Sequence, residues 1–264
     1  MYKFGFIGMG SMGQAMLHGS LSVFTPDMLA FTRKHPEKGN ELTEETGVRC
    51  LPDNITCADH SKYVILAVKP QFYDGVLDEI RPVLTEDKIV ISLAPSYKIG
   101  DLKKILGESV RVVRAMPNTP ARVGEGMTGL SWSEDIFAEE EKQELEQFFT
   151  SFGKAETVPE NLMDAVTAAS GSSPAFIYMM IEALADGVVR YGMPRAQAYT
   201  FVAQAVLGSA KMVLETGEHP GKLKDSVCSP GGTTIAAVAK LEASGFRSSL
   251  IEAAAAVCDR CRNM

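Results

Sequence analysis

The sequence predicts an α/β protein in which a doubly wound, mostly parallel sheet is followed by an all-helical domain. Three observations predict this fold: the first half alternates short apolar runs with helix-like segments, strand signals end at Pro159, and helical periodicity continues from there to Arg262. Strands that are apolar on nearly every residue are typical of a parallel sheet covered by helices on both faces. We therefore expect two domains, at residues 1–159 and 160–264.

The individual elements follow from the same patterns. Apolar runs predict strands at residues 3–7, 28–32, 63–68, 89–93, 110–116 and 155–158. Helix-like segments cover residues 11–21, 71–84, 99–106 and 139–152. In the last of these, one face at helical spacing is apolar, and it is formed by Leu145, Phe148, Phe149 and Phe152.

The second half begins with an unusually apolar segment. A turn at residues 170–174 is expected to lead into a helix whose only charged residues, Glu182, Asp186 and Arg190, form a single stripe. A helix that is apolar nearly all round must be buried nearly all round. About a hundred residues would struggle to bury it, so the sequence predicts that a second subunit covers part of it.

Composition limits the classes of function. The chain has 264 residues and a net charge of −7, which argues against a protein that mainly neutralises nucleic-acid phosphates. Five cysteines without dense spacing indicate free thiols in a reducing cytoplasm, and Cys258 and Cys261 lack a second ligand pair for a metal. The start of the chain has no secretory signal pattern, and no stretch has the roughly 20 apolar residues of a membrane span. We expect a cytoplasmic protein with no nucleic-acid, membrane or metal partner.

The first candidate site is a glycine-rich turn between the first strand and the first helix. Its residues are Gly8, Met9, Gly10, Ser11, Met12 and Gly13. In this context the pattern is typical of dinucleotide-binding Rossmann domains. Gly8 would permit the tight turn, Gly10 would let the backbone approach a pyrophosphate, and Gly13 would let the helix pack closely on the strand. The helix N-terminus would offer N–H groups to the phosphates, although a glycine-rich turn without a ligand is the alternative.

The end of the second strand indicates which dinucleotide binds. NAD sites usually have an acidic residue there, which accepts a hydrogen bond from the ribose 2′-hydroxyl. This chain has Thr32 followed by Arg33 and Lys34, and a guanidinium suits a 2′-phosphate. We therefore predict NADPH as the cofactor, with NADH as the alternative. If the two cations are ordinary solvated loop residues, this preference disappears.

Two further strands end in proline-containing turns. The first turn contains Ala67, Val68, Lys69 and Pro70, and the second covers residues 116–120. Ligands of doubly wound sheets lie beyond the carboxyl ends of the strands. Although each turn alone could simply end a strand, together with the glycine turn they outline one crevice.

Another candidate site lies in the helical half. Small hydroxyl residues and two glycines precede an apolar helical run, in the order Ser229, Gly231, Gly232, Thr233 and Thr234. A helix N-terminus of this kind has free N–H groups and side-chain hydroxyls that would bind a carboxylate. An ordinary helix cap is the alternative, and one segment can do both.

With these motifs assembled, the chain resembles the Δ1-pyrroline-5-carboxylate reductase family over essentially its whole length. The motifs lie at residues 6–10, 67–71, 116–120, 170–175, 219–225, 229–234 and 245–247. The resemblance implies a Rossmann domain and a helical dimerisation domain that interlocks with its copy in a homodimer, and dimers of this family can assemble into a decamer. It also implies NADPH-dependent reduction of a cyclic imino acid, Δ1-pyrroline-5-carboxylate, to L-proline, the last step of proline biosynthesis.

The resemblance places the cofactor contacts on particular residues. They fall on the glycine turn, on Thr32 and Arg33, on Asn54, and on residues 67–70. Ser226 stands where some members of the family have an Asn that reaches toward the cofactor. Ser226 is therefore a predicted cofactor contact, although its side chain is shorter than that of asparagine.

The resemblance also implies how the substrate is held. The backbone around Gly232, Thr233 and Thr234 binds the carboxylate, Ser229 lies nearby, and the Thr234 hydroxyl faces the ring nitrogen. Glu160 stands where a substrate-facing carboxylate would be, although an acid at a helix start is the alternative. An imine nitrogen protonates more readily than a carbonyl oxygen, so a hydrogen-bond partner such as Thr234 would suffice in place of a strong acid.

Two other functions remain as alternatives. A β-hydroxyacid dehydrogenase would have a similar two-domain plan, but it places a catalytic lysine one turn along the helix after a glycine-rich start, and residues 170–177 contain no lysine. A module that binds NADP(H) without turnover is the non-enzymatic alternative, and the carboxylate-binding pattern argues against it.

Overall fold

The computed structural model describes residues 1–263, which form two compact units. The first unit contains Met1–Ser172 and residues 257–263, and the second contains Ser173–Ala256. The expected domain boundary at residue 159 stays a prediction, and the first unit also includes residues 160–172. The physical reason is that residues 160–172 pack on the sheet of the first unit, where Val166 fills the space beside Gly129.

The first unit is built on a single eight-stranded sheet. Its strands are β1 (Tyr2–Ile7), β2 (Leu29–Thr32), β3 (Arg49–Cys50), β4 (Ser61–Leu66), β5 (Ile89–Ser92), β6 (Arg111–Met116), β7 (Gly126–Trp132) and β8 (Gly153–Thr157). Their order is β3-β2-β1-β4-β5-β6-β7-β8, and only the β6–β7 pair is antiparallel. The first six strands have the Rossmann order, with its switch point between β1 and β4. The predicted fold class is confirmed.

Helices account for most of the remaining chain. Those of the first unit are α1 (Ser11–Ser20), α2 (Pro36–Thr46), α3 (Asn54–Asp59), α4 (Tyr73–Ile80), α5 (Ile99–Leu106), α6 (Glu139–Thr150) and α7 (Met163–Val166). They are followed by α8 (Ser173–Val189), α9 (Arg195–Thr216), α10 (Pro220–Ser226), α11 (Thr233–Ala243) and α12 (Phe246–Arg262). Within residues 1–263 no strand follows Thr157, as the sequence predicts.

Four elements of the sheet unit lack a clear sequence pattern. These are β3, β7, α2 and α3. The two strands lack a strand pattern for different reasons: β3 has only two residues, and β7 contains two glycines. The segment at residues 71–84 is not one helix: short 3-10 turns, Pro70–Phe72 and Arg81–Val83, flank α4, because each contains a proline that cannot donate a backbone hydrogen bond.

The turn expected at residues 170–174 is helical instead. Thr167–Ser172 form a π-helical stretch that continues directly into α8. Pro174 has no N–H to donate to the Ser170 carbonyl, and the Asn118 side chain donates to that carbonyl instead, at 3.1 Å. A proline close to a glycine therefore does not end this helix, since a distant side chain satisfies the free carbonyl.

The core of the first unit lies on both faces of the sheet. On one face, all four residues of the apolar face predicted for residues 139–152, Leu145, Phe148, Phe149 and Phe152, are fully buried. The Phe148 ring stacks on the ring of Phe4 in β1, with 4.3 Å between the ring centroids. This packing holds α6 against the centre of the sheet, and the predicted apolar face is confirmed.

One acidic side chain of α6 ties that helix to the amino ends of the central strands β1 and β4. The Glu144 carboxylate accepts hydrogen bonds from Tyr63 and from Lys62, and it forms a 2.9 Å ion pair with Lys3. Burial raises the pKa of Glu144, but these three partners outweigh it, so the pKa lies below its ordinary value. A lowered pKa stabilises the fold above the pKa of the unfolded state, and this stabilisation is lost as the pH falls through the folded pKa.

We expect the acid sensitivity of the fold to depend in part on Glu144. The free energy of unfolding should decrease between about pH 6 and about pH 3, and Glu144→Gln should remove about 1 kcal/mol of that decrease. Urea unfolding across this pH range measures the effect. Glu146→Gln, on an exposed position of the same helix, is the matched control. Equal pH profiles for the wild type and Glu144→Gln would contradict the assignment.

The second unit leaves much apolar surface exposed in the single chain. Tyr178 and Met179 on α8 are 60% and 68% exposed, and Phe201 and Leu214 on α9 are 66% and 67% exposed. The near-complete burial predicted for α8 is therefore absent from one copy, and a second subunit has to supply it. None of the helices in residues 1–263 is long and apolar enough for a membrane crossing.

Candidate functional site

The glycine turn follows β1 directly and requires glycine at two positions. Gly8 has a φ of +92°, and a Cβ there would lie 2.6 Å from Val68 Cγ1. A Cβ on Gly13 would lie 2.9 Å from the Gly8 carbonyl oxygen, so the first turn of α1 packs closely against the loop. The Gly10 position differs, because a Cβ there would meet no atom within 4 Å. The turn thus leaves an open space, or cradle, beside Gly10.

The N-terminus of α1 lies at this cradle, and no side chain there offsets the positive end of the helix dipole. Gly10 caps the helix without a side chain, and no acidic residue lies in the first turn. The first N–H groups of a helix have no partner within the helix and carry the positive end of its dipole. The Gln14 amide donates to the Met9 carbonyl at 3.1 Å, which fixes the turn around the cradle. The open space and the free N–H groups fit the pyrophosphate of a dinucleotide.

Three polar side chains form a chain beside the end of β2. Thr32 Oγ1 donates to Asn54 Oδ1 at 2.7 Å, and Asn54 Nδ2 donates to Glu79 Oε2 at 2.8 Å. The structure therefore brings together Thr32 and Asn54, both of which the family resemblance assigned to the cofactor. Sequence analysis missed Glu79, since it lies on α4 without any motif. The Arg33 guanidinium donates to the Lys38 carbonyl at 3.2 Å.

A buried tyrosine joins the ends of the next two strands. The Tyr73 hydroxyl donates to the Leu66 carbonyl at 2.8 Å and accepts from the Leu93 N–H at 3.0 Å. Burial raises the pKa of Tyr73 to about 12, so the hydroxyl keeps its proton near neutral pH. The Tyr73 ring also stacks on Tyr97, with 4.9 Å between centroids.

This tyrosine positions two loops at the carboxyl edge of the sheet. One contains the predicted segment at residues 67–70, and Ala67 continues the pairing with β1 through a 2.9 Å bond from its N–H to the Ile7 carbonyl. The other covers residues 93–98 and was not singled out from the sequence. Its signal was available, because Pro95 follows β5 as prolines follow the two neighbouring strand ends.

The second proline turn is anchored by Asn118. Its side-chain oxygen accepts from the Met127 N–H at 2.8 Å, while its amide donates to Ser170 as described above. The residue is buried, so both bonds are shielded from water. Asn118 therefore ties the end of β6 to the start of β7 and to the π-helical stretch.

Glu160 has other partners than the sequence led us to expect. It lies in a 3-10 turn of the first unit, and its Oε1 accepts from Arg114 Nη1 at 2.8 Å and from the Ile99 N–H at 2.7 Å. The Arg114 side chain is only 4% exposed and also donates to the Pro95 carbonyl at 3.0 Å. Glu160 thus neutralises a buried guanidinium and caps α5. A contact with substrate stays a prediction.

The candidate carboxylate site begins α11 in the second unit. Gly231 has a φ of +71°, and the Gly232 N–H donates to the Ser229 carbonyl at 3.0 Å. A Cβ on Gly232 would lie 2.5 Å from Ser229 Oγ, which is the end of a side chain that can rotate away, so the positive φ of Gly231 is the feature of this turn that favours glycine. Thr233 and Thr234 form the exposed first two positions of α11.

The polar groups of this turn are free to bind a ligand. In the described part of the chain, the hydroxyls of Ser229, Thr233 and Thr234 have no hydrogen-bond partner. No acidic residue lies in the first turn of α11, and Gly232 caps the helix without a side chain. Such a helix end can hold a carboxylate through its N–H groups and hydroxyls. The five residues that the sequence predicts as a carboxylate site thus lie together, in one turn and the helix start that follows it.

Ser226 is engaged within its own helix. Its hydroxyl donates to the Leu223 carbonyl of α10 at 2.7 Å. The opposite end of α10 is capped by His219, whose Nδ1 accepts from the Gly221 N–H at 3.0 Å. The cofactor contact predicted for Ser226 remains a prediction, and its hydroxyl would first have to leave this bond. Within residues 1–263 no three His, Cys, Asp or Glu side chains cluster as a metal site.

Comparisons with known proteins match the two parts of the chain separately. Residues 160–264 match the family described as pyrroline-5-carboxylate reductase dimerisation. Residues 3–96 match the family described as NADP oxidoreductase, coenzyme F420-dependent. The first match covers the helical part with its exposed apolar surface, and the second covers the glycine turn and the ends of β2 and β4.

Relatives and solved structures match nearly the whole chain. The pyrroline-5-carboxylate reductase of Escherichia coli (strain K12) is 46% identical over 95% of this chain and 94% of its own length. The structure of a pyrroline-5-carboxylate reductase from Coxiella burnetii has a TM-score of 0.91 at 34% identity and covers 99% of this chain and 98% of its own.

A third comparison bears on the cofactor. The crystal structure of Plasmodium falciparum pyrroline carboxylate reductase with NADP bound has a TM-score of 0.89 at 32% identity, over 99% of this chain and 97% of its own. The glycine turn, the polar groups at the end of β2 and the helical dimerisation match are thus found on one chain with full-length relatives. The chain belongs to the pyrroline-5-carboxylate reductase family of NAD(P)-dependent oxidoreductases.

Proposed function

We propose that this protein reduces Δ1-pyrroline-5-carboxylate to L-proline with NADPH. One observation carries the proposal: the match to the Escherichia coli reductase at 46% identity spans 95% of this chain and 94% of the length of that enzyme. The open cradle at Gly10 and the free hydroxyls at α11 support it, because they suit a dinucleotide and a small carboxylate.

The first unit would hold the cofactor. The N–H groups at the start of α1 bind the pyrophosphate, and the open space beside Gly10 leaves room for it. Arg33 supplies a cation for the 2′-phosphate, while Val68, Lys69 and Pro70 follow β4 on the far side of the switch point. When bound, NADPH supplies the hydride that reduces the imine carbon.

The second unit would hold the substrate. The N–H groups of Thr233 and Thr234 bind the carboxylate at the positive end of the α11 dipole. The Thr234 hydroxyl contacts the ring nitrogen, which is protonated in the reactive iminium form, and Ser229 lies beside it. The chain then needs only to orient the ring and to stabilise the amine product through a hydrogen bond.

We expect Thr234→Ala to lower turnover more than it weakens NADPH binding. The kcat should fall roughly tenfold to hundredfold, because a positioned hydrogen-bond partner of the reacting nitrogen is lost. The Kd for NADPH, measured by fluorescence titration, should stay unchanged. Thr234→Ser keeps a hydroxyl and should recover most of the activity. Equal losses of turnover and NADPH affinity in Thr234→Ala would contradict this role.

The proposed reaction is tested by following NADPH oxidation with Δ1-pyrroline-5-carboxylate, with NADH in parallel. Rapid turnover with NADPH is expected, and the ratio of the two rates tests the preference assigned to Arg33. A folded protein that binds NADPH but reduces no cyclic imino acid would contradict the proposal. That outcome would favour the module that binds NADP(H) without turnover.

We also propose a homodimer that can assemble into a decamer, and a cytoplasmic location. The exposed apolar side chains of α8 and α9 support the dimer, since a second copy would cover them. The five free thiols support a reducing compartment. Sedimentation velocity measures the assembly: a monomer would contradict the dimer, and a dimer without larger species would contradict the decamer.

A further inference from the structure

Three side chains that are linked in a row by hydrogen bonds lie at the end of β2, where the ribose next to the adenine would bind. We refer to this row as the hydrogen-bond chain. Thr32, Asn54 and Glu79 come from three different elements, and only two short hydrogen bonds connect them, at 2.7 Å and 2.8 Å. Thr32 is buried, while Asn54 and Glu79 are partly buried. The family assignment of cofactor contacts includes the first two residues and leaves out Glu79.

The carboxylate at one end of this chain sets the direction of both hydrogen bonds. A carboxylate can only accept, so the Asn54 amide nitrogen must face Glu79. The Asn54 oxygen must then face Thr32, and because an amide oxygen can also only accept, the Thr32 hydroxyl must donate. The single proton of Thr32 is thereby committed, and its oxygen can only accept from a ligand.

An acceptor at this position distinguishes the two nicotinamide cofactors. The ribose 2′-hydroxyl of NADH can donate a hydrogen bond to the Thr32 oxygen. The 2′-phosphate of NADPH presents oxygens that need donors, and Thr32 in this state offers none. Arg33 thus favours binding of the 2′-phosphate, whereas the neighbouring Thr32 hydroxyl, which can only accept, disfavours it.

We propose that Glu79 is a specificity-determining residue that limits the preference for NADPH over NADH by orienting Asn54 and Thr32. Glu79 does not touch the cofactor and is a positioning residue. The inference rests on the proposed function only in that the cofactor ribose binds at the end of β2. It does not depend on the identity of the imine substrate.

Glu79→Gln tests the proposal. A glutamine side chain keeps the shape and can donate as well as accept, so the Asn54 amide can reverse and Thr32 can donate to the 2′-phosphate. The ratio of kcat/KM for NADPH to that for NADH should rise about fivefold to tenfold, the effect of one charge-assisted hydrogen bond. An unchanged or lower ratio would overturn the proposal.

Asp78→Asn is the matched control, because Asp78 is the exposed neighbour on the same helix and contacts neither Asn54 nor Thr32. It removes the same charge and should leave the cofactor ratio unchanged. If it raises the ratio as much as Glu79→Gln does, the effect is one of general charge and the hydrogen-bond chain is not responsible. Thermal unfolding of both variants shows whether the fold is retained.

Thr32→Val provides a test that does not require Glu79→Gln to fold. With the hydroxyl proton committed to Asn54, loss of the hydroxyl should weaken NADH binding about fivefold and leave NADPH binding nearly unchanged. The proposal would be overturned if Thr32→Val weakened the binding of NADPH more than the binding of NADH. These affinities are measured by titration without substrate, so a failure of imine reduction does not affect the result.

Discussion

Gly8→Ala is expected to destabilise the fold by about 2–4 kcal/mol and to abolish NADPH binding. A φ of +92° is unfavourable for alanine, and its methyl group would lie 2.6 Å from Val68 Cγ1 and 3.0 Å from the Val68 backbone nitrogen. The backbone of the turn would have to move, and with it the cradle beside Gly10. Urea unfolding and NADPH titration measure the two effects.

Gly10→Ala is the matched variant in the same turn. Gly10 has φ −78° and ψ −169°, which alanine adopts readily, and its Cβ would meet no protein atom within 4 Å. The free energy of unfolding should therefore stay within about 0.5 kcal/mol of the wild type. The Kd for NADPH should nevertheless rise at least about tenfold, because the methyl group occupies the space proposed for the pyrophosphate. Wild-type affinity in Gly10→Ala would place the pyrophosphate elsewhere.

Glu160→Ala is expected to cost about 3–5 kcal/mol of stability. The substitution leaves the Arg114 guanidinium without its counter-charge, although that side chain is only 4% exposed. It also removes the acceptor for the Ile99 N–H at the start of α5. An uncompensated buried charge is more destabilising than the loss of an ordinary surface ion pair, because the charge has been taken out of water.

Two further variants separate the structural role of Glu160 from a role in substrate binding. Glu160→Gln keeps an acceptor for both partners and should lose less stability than Glu160→Ala. The double variant Arg114→Met with Glu160→Leu removes both charges and should recover part of the loss. If the stable variants also raise the KM for the imino acid, Glu160 contacts the substrate. A Glu160→Ala protein as stable as the wild type would contradict the buried ion pair.

The sheet of the first unit could be predicted from the sequence because its central strands are buried on both faces. Apolar runs such as residues 63–68 and 89–93 leave little alternative to a parallel sheet. The strands that were missed lack this signal: β7 contains two glycines and pairs antiparallel with β6, and β3 has only two residues. Burial on both faces leaves a pattern in consecutive apolar residues, whereas a very short or glycine-containing strand is defined by backbone pairing with neighbours that are distant in the chain.

The candidate site likewise has one part that the sequence predicts and another part that depends on tertiary contacts. The glycine spacing, Thr32 and the turn before α11 are local features, since a tight turn or a helix N-terminus requires particular residues at fixed positions, and the sequence alone determined them. Only the tertiary structure decided the partners of Glu160 and Asn54. Arg114 lies in an apolar strand and Glu79 on an ordinary helix face, and neither has a motif. Their roles arise because folding removes water from side chains contributed by separate elements, and each buried polar group must then find a partner among them.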